Sequence, residues 1–442
     1  MQIQLSDHFD YQKLIRFTIP SIIMLIFTSI YGVVDGFFVS NIVGKTPFAA
    51  VNFIMPFLMV LGAIGFMFGT GGSALIARTM GEGKPDKANR LFSLFVYVTA
   101  ILSTLITTFS IIFLPQIAIF LGAEGQLLQD AVLYGRIILV ALPFYTLQFE
   151  FQSFFVTAEK PKLGLYVTVA SGVTNMVLDA LFMAVFRWGL VGAALATALS
   201  QFVGGVLGLV YFALPNKSLL RLTKTRFDGK SLLRACANGS SELMSNISMS
   251  IVSMLYNIQL LRYAGENGVA AYGVLMYVNF VFLAAFIGFS VGSAPIVSYH
   301  YGAQNHGELK SLRKKSMVII GIFSIAMFVL AALLAYPLSY VFVGYDDALL
   351  AMTLRGFLVF SFSFLFAGFA IFGSGFFTAL SDGLTSALIS FLRTLVFQIA
   401  AVLILPALWE LDGIWISIVV AEVMAFVLTM VFLRLKQKKY LY

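Results

Sequence analysis

The chain alternates long apolar runs with short breaks rich in charge, glycine or proline, and twelve of the runs are long enough to cross a bilayer as helices. Their limits read as 16–39, 47–77, 91–113, 131–156, 163–186, 190–213, 233–262, 268–299, 316–336, 350–379, 384–407 and 413–434, hereafter spans 1 to 12. Several exceed the roughly 20 residues that a crossing requires, so tilt or extension beyond the membrane is expected. The longest polar stretch, "PNKSLLRLTKTRFDGK" at 215–230, falls at the middle of the 442 residues.

A central polar segment invites a search for duplication. At a constant offset of 221, Ala49-Ala50 meets Ala270-Ala271, Gly71 meets Gly292, and Gly81 meets Gly302. Trp188 meets Trp409 and Gly192 meets Gly413 at the same offset, while Phe154-Phe155 meets Phe376-Phe377 at 222. The fold class expected is therefore an all-α polytopic membrane protein, its twelve transmembrane helices arranged in two pseudo-symmetric six-helix lobes. The expected divisions are an N-lobe at 1–214, a linker at 215–231 and a C-lobe at 232–442. Repeats with an even number of spans are parallel, related by an axis along the membrane normal, and a cleft between them permits alternating access.

Composition agrees. Hydrophobic residues make up 60% and charged residues 11%, less than half of what an average soluble domain carries. The net charge of +8 is distributed as a topology signal. With the N-terminus inside, 22 of the 28 basic residues fall on the cytoplasmic side; only Lys45, Arg187 and Arg262 lie outside. Arg136, Arg355 and Arg393 lie within or at the ends of spans, the last two read as interfacial or snorkelling residues. Both termini are thus expected in the cytoplasm of a multi-pass cell-membrane protein, and nucleic-acid binding is not expected. The N-terminal "MQIQLSDHFDYQKLIRF" lacks the form of a cleaved signal peptide, and the single cysteine, Cys236, permits no intrachain disulfide.

The polar residues inside the spans carry the chemistry. Asp35 shares a stripe of span 1 with Thr28 and Tyr31, and Asn175 and Asp179 are one turn apart on span 5, above Thr168 and Ser171. Thr197 and Gln201 are one turn apart on span 6. Asp35, Asp179 and Thr197 lie at similar depth, about 8–12 Å from the outer ends of their helices. Two carboxylates, an amide and a hydroxyl suit Na⁺ as ligands, or share a proton, because neighbouring carboxylates in low dielectric resist joint ionisation. The equivalent C-lobe positions are near Tyr256, Phe397, Ala401 and Ile418, so no such cluster is repeated there. A plain helix-pinning network would be expected in both lobes.

A second stripe on span 7 runs through Glu242, Ser245, Asn246, Met249 and Tyr256. Together with Tyr31 and Glu150 these are candidate cleft residues for cationic substrates, and interhelical hydrogen bonding explains them about equally well. The 17 methionines and 45 phenylalanines include enough soft side chains to line an adaptable cavity. No P-loop motif is present, and His8, His300 and His306 lack metal-ligand spacing, so no cofactor and no enzymatic constellation is expected.

Twelve spans in two lobes, the central linker, "GLVGAALATALS" at 189–200, and the set Asp35, Asn175, Asp179 and Thr197 resemble the multidrug and toxic compound extrusion family, in its DinF-like branch. That resemblance implies polyspecific drug export coupled to H⁺ or Na⁺ at those four residues; separately, a single copy of the chain is expected to suffice. Span 10 lacks the acid that the NorM-like branch carries there. The alternatives are a lipid-linked oligosaccharide flippase, which needs a more basic cleft, and a non-transporting receptor or scaffold, which leaves the acidic pair unexplained.

Overall fold

The computed structural model describes residues 3–43 and 45–442. The helices are α1 (Tyr11–Phe38), α2 (Lys45–Gly81), α3 (Pro85–Phe120), α4 (Gly125–Thr157), α5 (Pro161–Asp179), α6 (Gly189–Ala213) and α7 (Gly229–Gly302). They continue with α8 (His306–Val343), α9 (Asp347–Ser361), α10 (Phe364–Ala379), α11 (Gly383–Phe391), α12 (Phe397–Ile404), α13 (Pro406–Leu435) and α14 (Gln437–Tyr440). Three π-helical stretches, Val39–Val43, Ala180–Val185 and Leu392–Val396, extend or join them.

Local chemistry sets the ends of these helices. Asp10, Asp228, Asn305, Asp346 and Asp382 each cap the helix that follows by accepting from its first-turn amides, and Pro85 and Pro161 open theirs at the position that needs no amide donor. Two expected boundaries differ. Spans 7 and 8 form one run, α7, bent only at Gly265, whose φ of 63° and ψ of −153° belong to glycine; that residue alone turns the chain, so no longer loop is needed. Span 10 is instead broken, α9 meeting α10 at 50°. There Phe362 and Ser363 bond back three residues rather than four, which tightens the turn and redirects the axis. Trp409 and Glu410 interrupt α13, so its first turn completes span 11 and the remainder is span 12. Counted this way, twelve spans lie among the described residues.

They form two lobes of six. The offset between the repeats survives in the backbone: left-handed residues recur at Gly83 and Gln304, Glu159 and Ser381, and Gly189 and Glu410. Glycines at matching positions bring the lobes together. A Cβ on Gly81 would lie 2.9 Å from Ala303 N and closer still to Tyr299 O, and one on Gly302 would lie 2.8 Å from the Arg78 carbonyl carbon. Gly71 rests similarly on Gly239 and Gly292 on Thr18, so α7 touches both α2 and α1 at the main chain.

These contacts lie toward the face that carries both termini. An N-terminal strap crosses that face: Leu5 N donates to Glu159 of the N-lobe, and Phe9 N to Glu308 of the C-lobe. Leu5 and Phe9 are fully buried in a cluster with Phe289 and Phe377. Tyr442, at the other terminus, lies under Arg313 of α8.

Candidate functional site

Asp179 is the last α-helical residue of α5, and the π-helical stretch begins immediately after it, a feature that often marks functional positions. Asn175 is one turn earlier on the same face. Asp35 of α1 lies within hydrogen-bonding reach of Asp179, Asn175 and Thr197 of α6, so the four residues read from the sequence do converge. Asp179 is 0% exposed and Asn175 1%. Yet none of the four completes a side-chain hydrogen bond. Asp35 Oδ1, both Asp179 oxygens, both polar atoms of the Asn175 amide and Thr197 Oγ1 are all buried without a partner.

A fifth group joins them. Tyr134 of α4 is 1% exposed, its hydroxyl is also unpartnered, and it faces Thr197, Asp35 and Asp179. Its signal in the sequence was weak, since a tyrosine in an apolar helix is ordinary. Below the cluster a column of hydrogen bonds runs along α5: Gln148 Nε2 donates to Ser171 Oγ, which donates to the carbonyl of Ser200, and Gln152 Nε2 donates to Thr168 Oγ1. Among the described residues, no lysine, arginine or histidine acts on the two acids. Two carboxylate charges about 4 Å apart at an effective dielectric near 20 repel by about 4 kcal/mol, so the pocket is complementary to a proton or a small cation. Among the described residues, no group of three His, Cys, Asp or Glu side chains has the arrangement of a metal site.

The C-lobe solves the same positions differently. Tyr256, the counterpart of Asp35, donates its hydroxyl to Gln398 Oε1 at 2.8 Å. Gln398, not Phe397, therefore stands for Asn175. Gly192 packs on the main chain of Phe182 and Gly413 on that of Leu405, so the offset is 221 in one partner and 223 in the other, and a fixed offset misses the register at the end of span 11. Arg393 does not snorkel: its Nε donates to both oxygens of Glu422 on α13, at 3.1 and 2.8 Å, and both side chains are largely buried. Arg355 is interfacial, paired with Asp412 at the face opposite the termini.

The cleft candidates divide. Gly239 touches the main chain of Met67 on α2, and Glu242, Asn246 and Met249 follow it on the same side of α7; Met249 is 44% exposed and the other two half-buried. Tyr31 is half-buried one turn from Asp35 and packs on Phe27. Glu150 and Tyr256 do not line the cleft. Glu150 is 0% exposed, turned toward Thr99 of α3 and packed on Gly69, because α4 presents Gln148 and Gln152 to α5 and places Glu150 on its other side. Tyr256 is 1% exposed in the C-lobe interior, stacked on Tyr272.

The MatE family model matches the chain twice, over residues 20–181 and 243–404. A multidrug export protein MepA of Staphylococcus saprophyticus is 26% identical over 420 residues, covering 93% of this chain and 91% of that one. The Staphylococcus aureus protein of the same name is 25% identical over 418 residues, covering 93% and 91%. Among solved structures, a MATE in complex with MaL6 superposes with a TM-score of 0.93 at 22% identity, covering 98% of both chains. An outward-facing multidrug resistance MATE transporter of the MOP superfamily superposes at 0.92, also at 22% identity, covering 98% and 97%. With both halves matched in turn by the one family model, and the fold shared end to end, this chain belongs to the MatE family, the multidrug and toxic compound extrusion transporters.

Proposed function

We propose that this protein is a secondary antiporter that exports amphipathic, often cationic compounds in exchange for H⁺ or Na⁺. One observation carries it: two buried acids in the N-lobe, Asp35 and Asp179, have no compensating cation among the described residues, whereas in the C-lobe the counterparts of Asp35 and Asn175 close on each other, Tyr256 with Gln398, and the buried acid Glu422 is paired with Arg393. Mutual repulsion of the acids is relieved by taking up one small cation, with Asn175, Thr197 and the Tyr134 hydroxyl able to supply further oxygen ligands. Of these groups, Asp35 is on α1, which also packs along α7 of the other lobe, as at Thr18 and Gly292. Ion binding at Asp35 is therefore coupled to how the lobes meet. Exchange requires that ion and drug prefer different arrangements of the lobes.

The distribution of basic residues assigns the face with both termini to the cytoplasm, with residues 1–214 and 232–442 as lobes joined by 215–231. Substrate is received between the lobes, along Glu242, Asn246 and Met249. The name of the staphylococcal relatives supports drugs as substrates, and the four-residue cation set supports the DinF-like branch.

Dye efflux from proteoliposomes under separately imposed pH and Na⁺ gradients tests the proposal. One gradient is expected to drive export, and Asp179→Asn, which keeps the shape of the side chain and removes its charge, is expected to abolish it. Unchanged gradient-driven efflux by a folded Asp179→Asn protein refutes the site.

A further inference from the structure

Arg393 occupies an expensive position. It lies ten residues into span 11, roughly 15 Å from that helix's start and so near the middle of a hydrocarbon core about 30 Å thick. Glu422 neutralises it, but through Nε alone: both carboxylate oxygens lie against that one nitrogen. An arginine held only to fasten two helices would ordinarily be bound side-on through two nitrogens. Here the terminal nitrogens Nη1 and Nη2 have no hydrogen bond among the described residues, and neither is a sealed, unpartnered atom; the side chain retains 14% exposure.

The surrounding groups continue the pattern. Residues 392–396 are π-helical, and bonding to the fifth residue along stacks Arg393 and Gln398 on one face. Tyr256 uses the acceptor of Gln398, which leaves the amide Nε2 as a donor without a partner among the described residues. Glu422 is the place-holder of Gln201 in the N-lobe, and Arg393 that of Ser171. The central interior of the N-lobe thus offers oxygens, and that of the C-lobe offers N–H donors.

Taking the transport function proposed above as given, we propose that the C-lobe holds the carboxylate of zwitterionic amphiphilic substrates on the open Nη1–Nη2 edge of Arg393, with the Gln398 amide as a second donor. A planar monoanion matches that edge with two parallel hydrogen bonds. A phosphate dianion would be opposed by Glu422. A substrate bearing both charges would then turn its cationic end toward Glu242 of α7 and its acidic end toward Arg393.

The probes are a xanthene dye with a free carboxylate and its methyl ester, alike in size and cationic ring system. The variant is Arg393→Gln combined with Glu422→Gln, which removes both charges together and leaves no orphaned ion in the lobe. Efflux of the acid is expected to show a KM raised about tenfold or more in the double variant, with that of the ester within about twofold, since a charge-assisted bidentate pair is worth at least one decade of affinity. Equal changes for the two dyes, or none, overturn the assignment. Binding of each dye to the wild-type protein by fluorescence anisotropy keeps the test open should the variant not fold. Tighter binding of the acid supports the subsite, and equal or weaker binding refutes it. Failure of either gradient to drive wild-type efflux of either dye would instead count against antiport itself.

Discussion

Alanine at Gly81 should unseat the closed arrangement of the lobes. The added Cβ would stand 2.9 Å from Ala303 N and closer to Tyr299 O, where ordinary contact begins at 3.4 Å, so main chain of α2 and α7 must part by more than 0.5 Å. Neither obstacle is a side chain that can swing aside. Overpacking of this kind costs about 1–3 kcal/mol, and because the strain exists only where the lobes touch, it disfavours that state by about five- to 150-fold against one in which they have separated. The chain contains its own reporter. Cys236, the single cysteine, lies on α7 beside Ala235, whose carbonyl touches Gly71, and its side chain packs partly buried against the N-lobe core. Opening this seam exposes it. Labelling of Cys236 by a membrane-impermeant maleimide, applied from the face with the termini, should accelerate in Gly81→Ala by a factor within that range, and export should fall. Gly302→Ala should do the same, since its Cβ meets Arg78 across the same seam. One parting relieves both collisions, so the double substitution should cost less than the sum of the two. Unaltered labelling together with unaltered efflux in a folded Gly81→Ala protein would show that the glycine contact does not hold the closed state.

Two further outcomes concern the face that carries the termini. Glu308→Ala removes the acceptor of Phe9 N at 2.9 Å and of His8 Nδ1 at 2.6 Å, and with Phe9 N left unpaired the strap should loosen at a cost of about 1–3 kcal/mol, read as faster proteolysis and hydrogen exchange at residues 3–10. Protection equal to wild type would place the strap's hold elsewhere. Burial pushes the Asp382 carboxyl up, but hydrogen bonds from Tyr440 and Thr385 and the charge of Lys436 together bring it below its ordinary 3.8. A depressed carboxylate contributes stability that is present above that ordinary value and is lost as pH falls through its lowered one, so Asp382→Asn should flatten the acid limb of thermal stability below about pH 3.8. Parallel acid limbs for the two proteins would refute this.

The apolar periodicity made the spans legible because each run must satisfy the bilayer by itself, independently of its neighbours. Register within the spans was less accessible. The π-helical stretch at Leu392–Val396 shifts which residues face inward, and an apolar run records nothing of that shift; hence Phe397 was paired with Asn175 where Gln398 belongs. Arg393 looked like a snorkelling residue because its partner is 29 positions away, and Glu422 in "VVAEVMAF" was not recognised as the second half of the pair. Glu150 and Tyr256 shared stripes with polar neighbours, but a stripe on a helix buried on several sides does not specify which side faces the cleft. The N-lobe set was legible for the opposite reason. Two acids, an amide and a hydroxyl at similar depth on three helices have few uses in hydrocarbon unless they meet.

The duplication explains why the two lobes agree in some places and differ in others. Where the halves touch, Gly81 rests on the main chain of Tyr299 and Ala303, which flank Gly302, and Gly302 rests on that of Arg78, one turn before Gly81, so a side chain at either glycine strains the same seam, and the repeat is preserved. Inside the lobes that constraint is absent. Asp35 and Tyr256 never meet, and each can change as long as its own lobe remains satisfied. The N-lobe tolerates a cluster with unfilled hydrogen-bonding capacity, which the proposed antiport fills with a small cation from outside the chain. In the C-lobe, the buried acid Glu422 has its positive partner built into the chain, as Arg393. A machine with exchangeable ions in both halves would have two independent loads to reconcile with one rocking motion. Under the proposed antiport, fixing the charge in one half leaves a single ion-dependent load, and it places that load partly on α1, one of the helices through which the N-lobe also contacts α7.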